Sequence, residues 1–174
     1  MSNTLYTLGG NMHEALVDFI QSLPVWLQWL GGMAVAAIPF VESHFGTLIG
    51  VIAGVPLPVA MLAAIAGNLV SMLAFVFAAS TARRTVLARR APADADATPE
   101  PSARRQRVKR MLDRFGVPGV SLLGPMVVPN QFTSSILVSL GANRTAVIVW
   151  TSISIVMWSA IFALFGQLGL TALS

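Results

Sequence analysis

The stretch IPFVESHFGTLIGVIAGVPLP, residues 38 to 58, carries one acidic residue, Glu42, in a region that is otherwise uncharged. An uncharged run precedes it from Phe19 to Val41, and another follows from Phe45 to Ala82. A charged side chain at the centre of a bilayer costs about 2.5 to 3.5 kcal/mol on the insertion scale. Such a carboxylate therefore reaches an interface or has a function, and Glu42 is the first candidate functional residue.

The composition is typical of a membrane protein. Of the 174 residues, 55% are hydrophobic and only 10% are charged, and the mean hydropathy is +0.74. This is more apolar surface than one soluble core of this size needs. A helix needs about 20 apolar residues to cross a bilayer, and long uncharged runs lie at 19–41, 45–82, 115–143 and 145–174. The sequence predicts an all-α integral membrane protein.

Basic residues are concentrated in one segment. Ten of the eleven lie between Arg83 and Arg114, and only Arg144 lies elsewhere. Because cytoplasmic loops of membrane proteins are enriched in Lys and Arg, residues 83–115 are predicted to be cytoplasmic, and no binding to nucleic acid is expected. The chain has no cysteine, which excludes disulfides, thiolate nucleophiles and Cys-ligated metals.

The basic segment has two parts. The stretch APADADATPEPSA (91–103) is rich in Pro, Ala and acidic residues and is predicted to be a disordered linker. The following RRQRVKRMLDRF (104–115) is predicted to be an amphipathic helix, because Val108, Met111, Leu112 and Phe115 recur at helical spacing. We expect it to lie on the anionic inner leaflet through Arg104, Arg105, Arg107, Lys109 and Arg110. The alternative is a charge cluster that only fixes topology.

The long uncharged runs do not divide into simple spans. The N-terminal segment (1–23) is predicted to be partly helical. The first membrane half (24–82) follows it and begins with a span. A re-entrant hairpin at 39–54, broken at 42–46, and a second span at 58–80 complete this half. The second half (116–174) has a re-entrant hairpin at 116–142, broken at Pro129 and Asn130, and a span at 145–170. Arms of about 10 to 12 residues reach about 15 to 18 Å, half the hydrocarbon thickness.

The two halves resemble each other. When Gly54 is superposed on Gly141, GTLIGVIAG lies beside TSSILVSLG, and both following spans start four residues later. If the hairpins enter from opposite sides, the halves form an inverted repeat, and transporter sites form where such broken segments meet. The predicted substrate and proton site therefore combines Glu42, Ser43, His44, Asn68, Asn130, Gln131 and Arg144.

Each long span carries a stripe of small residues. The first stripe is Ala60, Ala64, Gly67, Ser71, Ala74 and Ala78, and the second is Thr145, Ser152, Ser159, Ala163 and Gly166. Small residues let helices approach closely in lipid. We interpret the stripes as helix-packing faces, and they also allow a homodimer.

Two segments, IPFVESHFGTLIGVIAGVPLPVAMLAAIAGN (38–68) and FGVPGVSLLGPMVVPNQFTSSILVSLGANR (115–144), resemble the bacterial small multidrug export family, which belongs with the DedA/VTT membrane proteins. The likeness extends over residues 38 to 166. It implies opposed re-entrant hairpins in the bacterial cytoplasmic membrane, with Glu42 in the place of an acidic residue linked to proton coupling. DedA-like second hairpins usually carry arginines around their proline, whereas Gly124-Pro125-Met126 and Pro129-Asn130 stand here without any.

Three functions fit these features. The first is a secondary transporter of the small multidrug export type, in which Glu42 binds a proton or a small cationic or lipophilic solute. The second is a DedA-like lipid translocase or scramblase, with Arg144 and the basic helix holding phosphate heads. The third is a non-transporting assembly subunit. No enzyme activity, cofactor or metal is expected, because HExxH, GxSxG and GxxxxGK[ST] motifs are absent from the sequence.

Overall fold

The computed structural model describes residues 2–89 and 103–173, and the side chains of residues 12–86, 88 and 106–164. Over these residues the chain is helical and contains no β-strand. Nearly all of the linker predicted at 91–103 lies outside the described residues, as do the side chains of Arg104 and Arg105.

Seven α-helices contain most of the described residues. They are α1 (Ser2–Gln21), α2 (Gln28–Ala36), α3 (Glu42–Ile52), α4 (Leu57–Arg89), α5 (Ala103–Leu123), α6 (Asn130–Ser139) and α7 (Arg144–Leu173). A single turn of 3-10 helix lies before α2 (Val25–Leu27) and another before α6 (Gly124–Met126). Each of these turns therefore precedes a short helix.

Two of the described helices, α4 and α7, are long and apolar enough to cross a membrane. Their mean hydropathy reaches 2.2 over Leu57–Val86 and 2.1 over Arg144–Leu164. The helices predicted at 58–80 and 145–170 are thus present, and each continues beyond the predicted bounds. This assignment rests on the length and the composition of the two helices.

The first predicted span, beginning at residue 24, is not a single long helix. Only the nine residues of α2 are α-helical there, and the chain then turns at residues 37–41 before α3 begins at Glu42. Pro39 lacks the backbone N–H that a continuing helix would need, and Phe40 has a positive φ of 79°. The break therefore precedes Glu42 and does not occupy residues 42–46, and the short helices α2 and α3 lie on either side of it.

The α3–α4 and α6–α7 corners have the same backbone geometry. Gly54 and Gly141 adopt φ values of +98° and +100°, which glycine tolerates because it has no Cβ. The amides of residues 53, 54 and 55 donate to the carbonyls of 49, 51 and 50, and the amides of 140, 141 and 142 donate to those of 136, 138 and 137. Each hydrogen bond in one corner therefore has a counterpart 87 positions later.

The chain forms two compact units. Unit 1 contains Met1–Val70 and Ile155–Ser174, and unit 2 contains Ser71–Ser154. In unit 1, α1 packs on α2 and α3 around a core that includes Ile20, Val35, Val41, Ile49, Ala53, Val55 and Ala60. In unit 2, α5 packs on α6, and buried side chains there include Val108, Val120, Val128, Leu137 and Val147.

The predicted amphipathic helix is the first part of α5. Helical geometry is interrupted at Gly116, where φ is 67° and ψ is −175°, so the basic part ends at Phe115. Its Val108 is only 1% exposed, whereas Arg107, Lys109 and Arg110 are exposed. Val108 is therefore buried inside unit 2, while Met111 and Leu112 are half-buried and Phe115 remains 46% exposed.

Candidate functional site

Glu42 lies in a strained turn at the start of α3. Its φ is 53° and that of Phe40 is 79°, although both carry a Cβ that disfavours this left-handed region by about 1 to 2 kcal/mol. The amides of Val41 and Glu42 both donate to the Ile38 carbonyl, which closes the turn. Glu42 is 2% exposed in this conformation. Residues held in such conformations cluster at functional sites.

The Glu42 carboxylate lies close to the His44 imidazole. Glu42 Oε2 is 3.9 Å from His44 Nδ1, and the His44 side chain is only 16% exposed. Residues two positions apart on a regular helix point to different sides, and the left-handed backbone of Glu42 departs from that geometry. The turn therefore creates a buried acid with a titratable neighbour.

Ser43, between these two residues, joins α3 to two long helices. Its Oγ lies 2.6 Å from Ser159 Oγ of α7 and 3.4 Å from Asn68 Nδ2 of α4. Ser159 Oγ also lies 2.7 Å from the Ile155 carbonyl oxygen. A hydroxyl has one proton, so when Ser159 donates to that carbonyl, Ser43 donates to Ser159 and accepts from Asn68.

Glycines allow the helices around Ser43 to approach closely. A Cβ at Gly46 of α3 would lie 2.5 Å from the Ala36 Cβ of α2, and a Cβ at Gly67 of α4 would overlap the Met33 carbonyl oxygen of α2. Asn68 follows Gly67 directly and is fully buried. The first small-residue stripe therefore packs α4 against α2 at Gly67. It also brings Asn68 close to Ser43.

The residues predicted from the second hairpin lie in unit 2. Asn130 and Gln131 are 3% and 0% exposed at the start of α6, directly after Pro129. The Asn130 carbonyl accepts a hydrogen bond of 2.7 Å from Ser134 Oγ, as the Ser43 carbonyl does from Thr47 Oγ1. The short helices α3 and α6 therefore both carry buried polar residues in their first turn.

Arg144 takes a different position from these buried residues. It is exposed at the start of α7, and its guanidinium lies 5.2 Å from the centre of the Phe77 ring. The Arg83 guanidinium lies nearby in the fold, since its Nη2 would be 3.1 Å from a Cβ at Gly141. Two arginines of α4 and α7 thus flank the α6–α7 corner.

Ser159 is a candidate functional residue for which the sequence predicts only a role in helix packing. Ser159 belongs to the second small-residue stripe, and periodicity does not distinguish a serine that packs from one that hydrogen-bonds a distant hydroxyl. A serine spaced seven residues after Ser152 in an apolar helix is the signal that could have indicated it.

Unit 1 also has an apolar groove of about 320 Å³. Its lining is formed by the beginning of α4 and the later part of α7, namely Leu57, Pro58, Met61, Ala160, Ala163 and Leu164. All six lining residues are apolar, so the groove suits a hydrocarbon group. Among the residues that the structure describes, no group of three or more His, Asp or Glu is placed to hold a metal ion.

No protein-family model matches the chain, and neither the curated proteins nor the solved structures give a significant match. The resemblance to small multidrug exporters therefore rests on the motifs at 38–68 and 115–144. Function has to be argued from the chemistry of the site.

Proposed function

We propose that the protein is a proton-coupled secondary transporter of the small multidrug export type, which exchanges protons for a small cationic or lipophilic solute at Glu42. The observation that carries this proposal is the burial of the Glu42 carboxylate, 2% exposed, within 3.9 Å of the His44 imidazole. An ionised carboxylate in an apolar environment is costly unless it is paired or neutralised. A proton or a cation bound at Glu42 would neutralise this charge.

Exchange at one carboxylate keeps the site neutral. Release of one proton from Glu42 leaves one negative charge, and a monovalent cation then restores neutrality. Because the two ligands compete for the same oxygens, binding of either displaces the other. His44 Nδ1, 3.9 Å away, can accept the proton during this exchange, because a neutral imidazole has a nitrogen that binds a proton.

Three features support a membrane location. The helices α4 and α7 are long and apolar enough to cross a bilayer. Large apolar side chains on them remain exposed in the chain, including Leu62, Val70, Phe77, Val149 and Val156. The third feature is the concentration of basic residues between Arg83 and Arg114, which is typical of a cytoplasmic loop beside a membrane span.

The matched corners support an inverted repeat. At 1.5 Å per residue, α2 and α3 extend about 14 and 16 Å, which suits arms of a re-entrant hairpin more than spans. The identical hydrogen bonds before α4 and α7 suggest that α6 and the end of α5 form the second such hairpin. In an inverted repeat, the two hairpins enter the membrane from opposite sides.

Transport in liposomes tests the proposal. Purified protein should move a small lipophilic cation in response to a pH gradient, and Glu42→Gln should abolish this movement, because the amide keeps the shape but does not titrate. Glu14→Gln is the matched control, since Glu14 is exposed on α1. Transport by Glu42→Gln at the rate of the control over the whole pH range would falsify the proposal.

The second candidate, a lipid translocase, is favoured by Arg83 and Arg144 beside the α6–α7 corner. Guanidinium groups bind phosphates through paired hydrogen bonds. Under this alternative, the protein would equilibrate fluorescent phospholipids between leaflets, and Arg144→Ala would abolish the exchange. Under the proposed function, no phospholipid equilibration is expected.

A further inference from the structure

The described side chains of α1, in residues 12–21, form three distinct sides of the helix. One side packs against the core of unit 1 and contains Leu16, Val17 and Ile20. A second side is polar and exposed and contains Glu14, Asp18 and Gln21. A third side is apolar and exposed and contains Met12, Ala15 and Phe19. Within each exposed side, successive residues are three or four positions apart, as neighbours on a helix surface are. The exposed surface of α1 is therefore divided into an acidic side and an apolar side.

Large apolar side chains are also exposed where α1 is followed by α2. We call residues 24–30 the tryptophan turn, which contains the 3-10 turn Val25–Leu27 and the beginning of α2. Trp26 is 73% exposed, and Trp29 and Leu30 are 43% and 40% exposed. Exposed large apolar groups that adjoin one another mark surfaces that bind a partner or a membrane. This part of unit 1 therefore fits an apolar partner.

The charge of unit 1 narrows the class of partner. Unit 1 contains no Lys or Arg, so it has no basic side chain to attract an anionic lipid head or a nucleic acid. Tryptophan combines a large apolar ring with one N–H donor and is enriched where lipid meets water. A helix with one polar and one apolar side lies in the plane of that interface. Because the polar side of α1 is acidic, apolar contact with lipid would hold it there.

We propose that the apolar side of α1 and the tryptophan turn lie in the lipid–water interface of the membrane, with the acidic side of α1 facing water. This inference rests on the membrane location in the proposed function and not on transport at Glu42. The depth is that of the lipid headgroups, which water and charged reagents also reach. Because α1 packs on α2 and α3, this contact with lipid also sets the depth at which α3 begins.

Tryptophan fluorescence of the purified full chain in phosphatidylcholine nanodiscs measures this depth. The background variant carries four substitutions, namely Trp26→Phe, Trp29→Phe, Trp150→Phe and Trp158→Phe. Into this background, one tryptophan is introduced on the apolar side of α1 by Phe19→Trp or on the acidic side by Gln21→Trp. Both positions are exposed and lie two residues apart on one helix, so they form a matched pair. A protein that retains only Trp26 adds no new side chain and serves if either introduced tryptophan prevents folding.

The two sides of α1 should respond to different quenchers. Lipids brominated near the top of the acyl chain should quench Phe19→Trp and the protein that retains only Trp26, and both should emit at shorter wavelength than tryptophan in water. Iodide should quench Gln21→Trp more than Phe19→Trp. Lipids brominated near the end of the acyl chain should quench all three proteins less.

Three results would overturn the inference and leave the proposed function standing. The first is equal quenching of Phe19→Trp and Gln21→Trp by either reagent. The second is stronger quenching from the end of the acyl chain, which would place α1 deep in the bilayer. The third is no quenching of Phe19→Trp by lipid or iodide, because a second copy of the chain or another protein would then cover this surface.

Two further results concern the proposed function. If the expected quenching is seen while wild-type protein moves no cation in response to a pH gradient, the contact of α1 with lipid stands and proton-coupled transport fails. If brominated lipid quenches no tryptophan of the wild-type protein, including Trp150 and Trp158 on α7, the membrane location fails, and both proposals fail with it.

Discussion

The hydroxyl of Ser43 lies 2.6 Å from that of Ser159, a residue 116 positions later in the chain. Both residues are buried, and the contact joins the helix that begins at Glu42 to the last helix of the chain. Because unit 1 is built from two separate stretches, this hydrogen bond links one stretch to the other. The position of α3, and therefore of Glu42, depends on α7.

We expect Ser159→Ala to lower the free energy of unfolding by about 1 kcal/mol, because it leaves the buried Ser43 hydroxyl without its partner on α7. Thermal and denaturant unfolding of the purified protein in detergent measure this change. Ser152→Ala, on the same helix, is the control and should change stability less.

A double-mutant cycle isolates the pair. Ser43→Ala and Ser159→Ala should be less destabilising together than the sum of their separate effects. Strictly additive effects would mean that the two hydroxyls do not interact.

Gly67→Ala should destabilise the protein by about 1 to 3 kcal/mol, because the new methyl group would overlap the Met33 carbonyl and force α2 and α4 apart. Gly32→Ala is the matched control on α2, where a Cβ would meet nothing within 4 Å. It should be neutral or stabilising by up to about 1 kcal/mol, since alanine favours helix over glycine. Equal effects of both substitutions would contradict the close approach.

Phe40→Gly should be more stable than Phe40→Ala by about 1 kcal/mol. Both variants remove the same side chain, which is 60% exposed, but only glycine relieves the positive φ at this position. At Ile38, which is also exposed but has no positive φ, the order should reverse. If alanine were the more stable substitution at both positions, the left-handed turn before Glu42 would be wrong.

Glu42→Asp should retain part of the pH-driven transport with a shifted pH optimum. The carboxylate still titrates, but it is one methylene shorter and meets His44 at a different distance. The measurement is the initial rate of cation uptake against pH, normalised to the amount of protein in the membrane. A profile identical to that of wild type would show that the position of the carboxylate does not matter.

Cysteine labelling tests the topology, since the chain has no native cysteine. If α2 and α3 form a re-entrant hairpin, Val25→Cys and Pro56→Cys should both react with a charged reagent from the outside. Val86→Cys, near the far end of α4, should react from the cytoplasm. All three positions are exposed in the chain. Labelling of residues 25 and 56 from opposite sides would exclude the re-entrant hairpin.

The long helices and the two glycine corners could be predicted because they follow from local chemistry. Apolar length identifies α4 and α7, and a glycine that ends a helix favours positive φ at Gly54 and Gly141. The sequence predicts the break at residues 42–46, whereas the structure has it at residues 37–41. The prediction is wrong because no propensity assigns a left-handed backbone to phenylalanine or glutamate. The Ser43–Ser159 contact was missed because it depends on how two distant helices pack.

The matched corners and the Ser43–Ser159 contact also differ in when they can form during synthesis. Each corner is closed by hydrogen bonds that span no more than five positions, so it can fold as soon as its own segment has left the ribosome. Ser43 meets Ser159 only after 116 further residues have been added. At about 5 to 20 residues per second, this interval lasts about 6 to 23 s. For that time, the nascent chain carries Glu42 without the last helix that completes its surroundings.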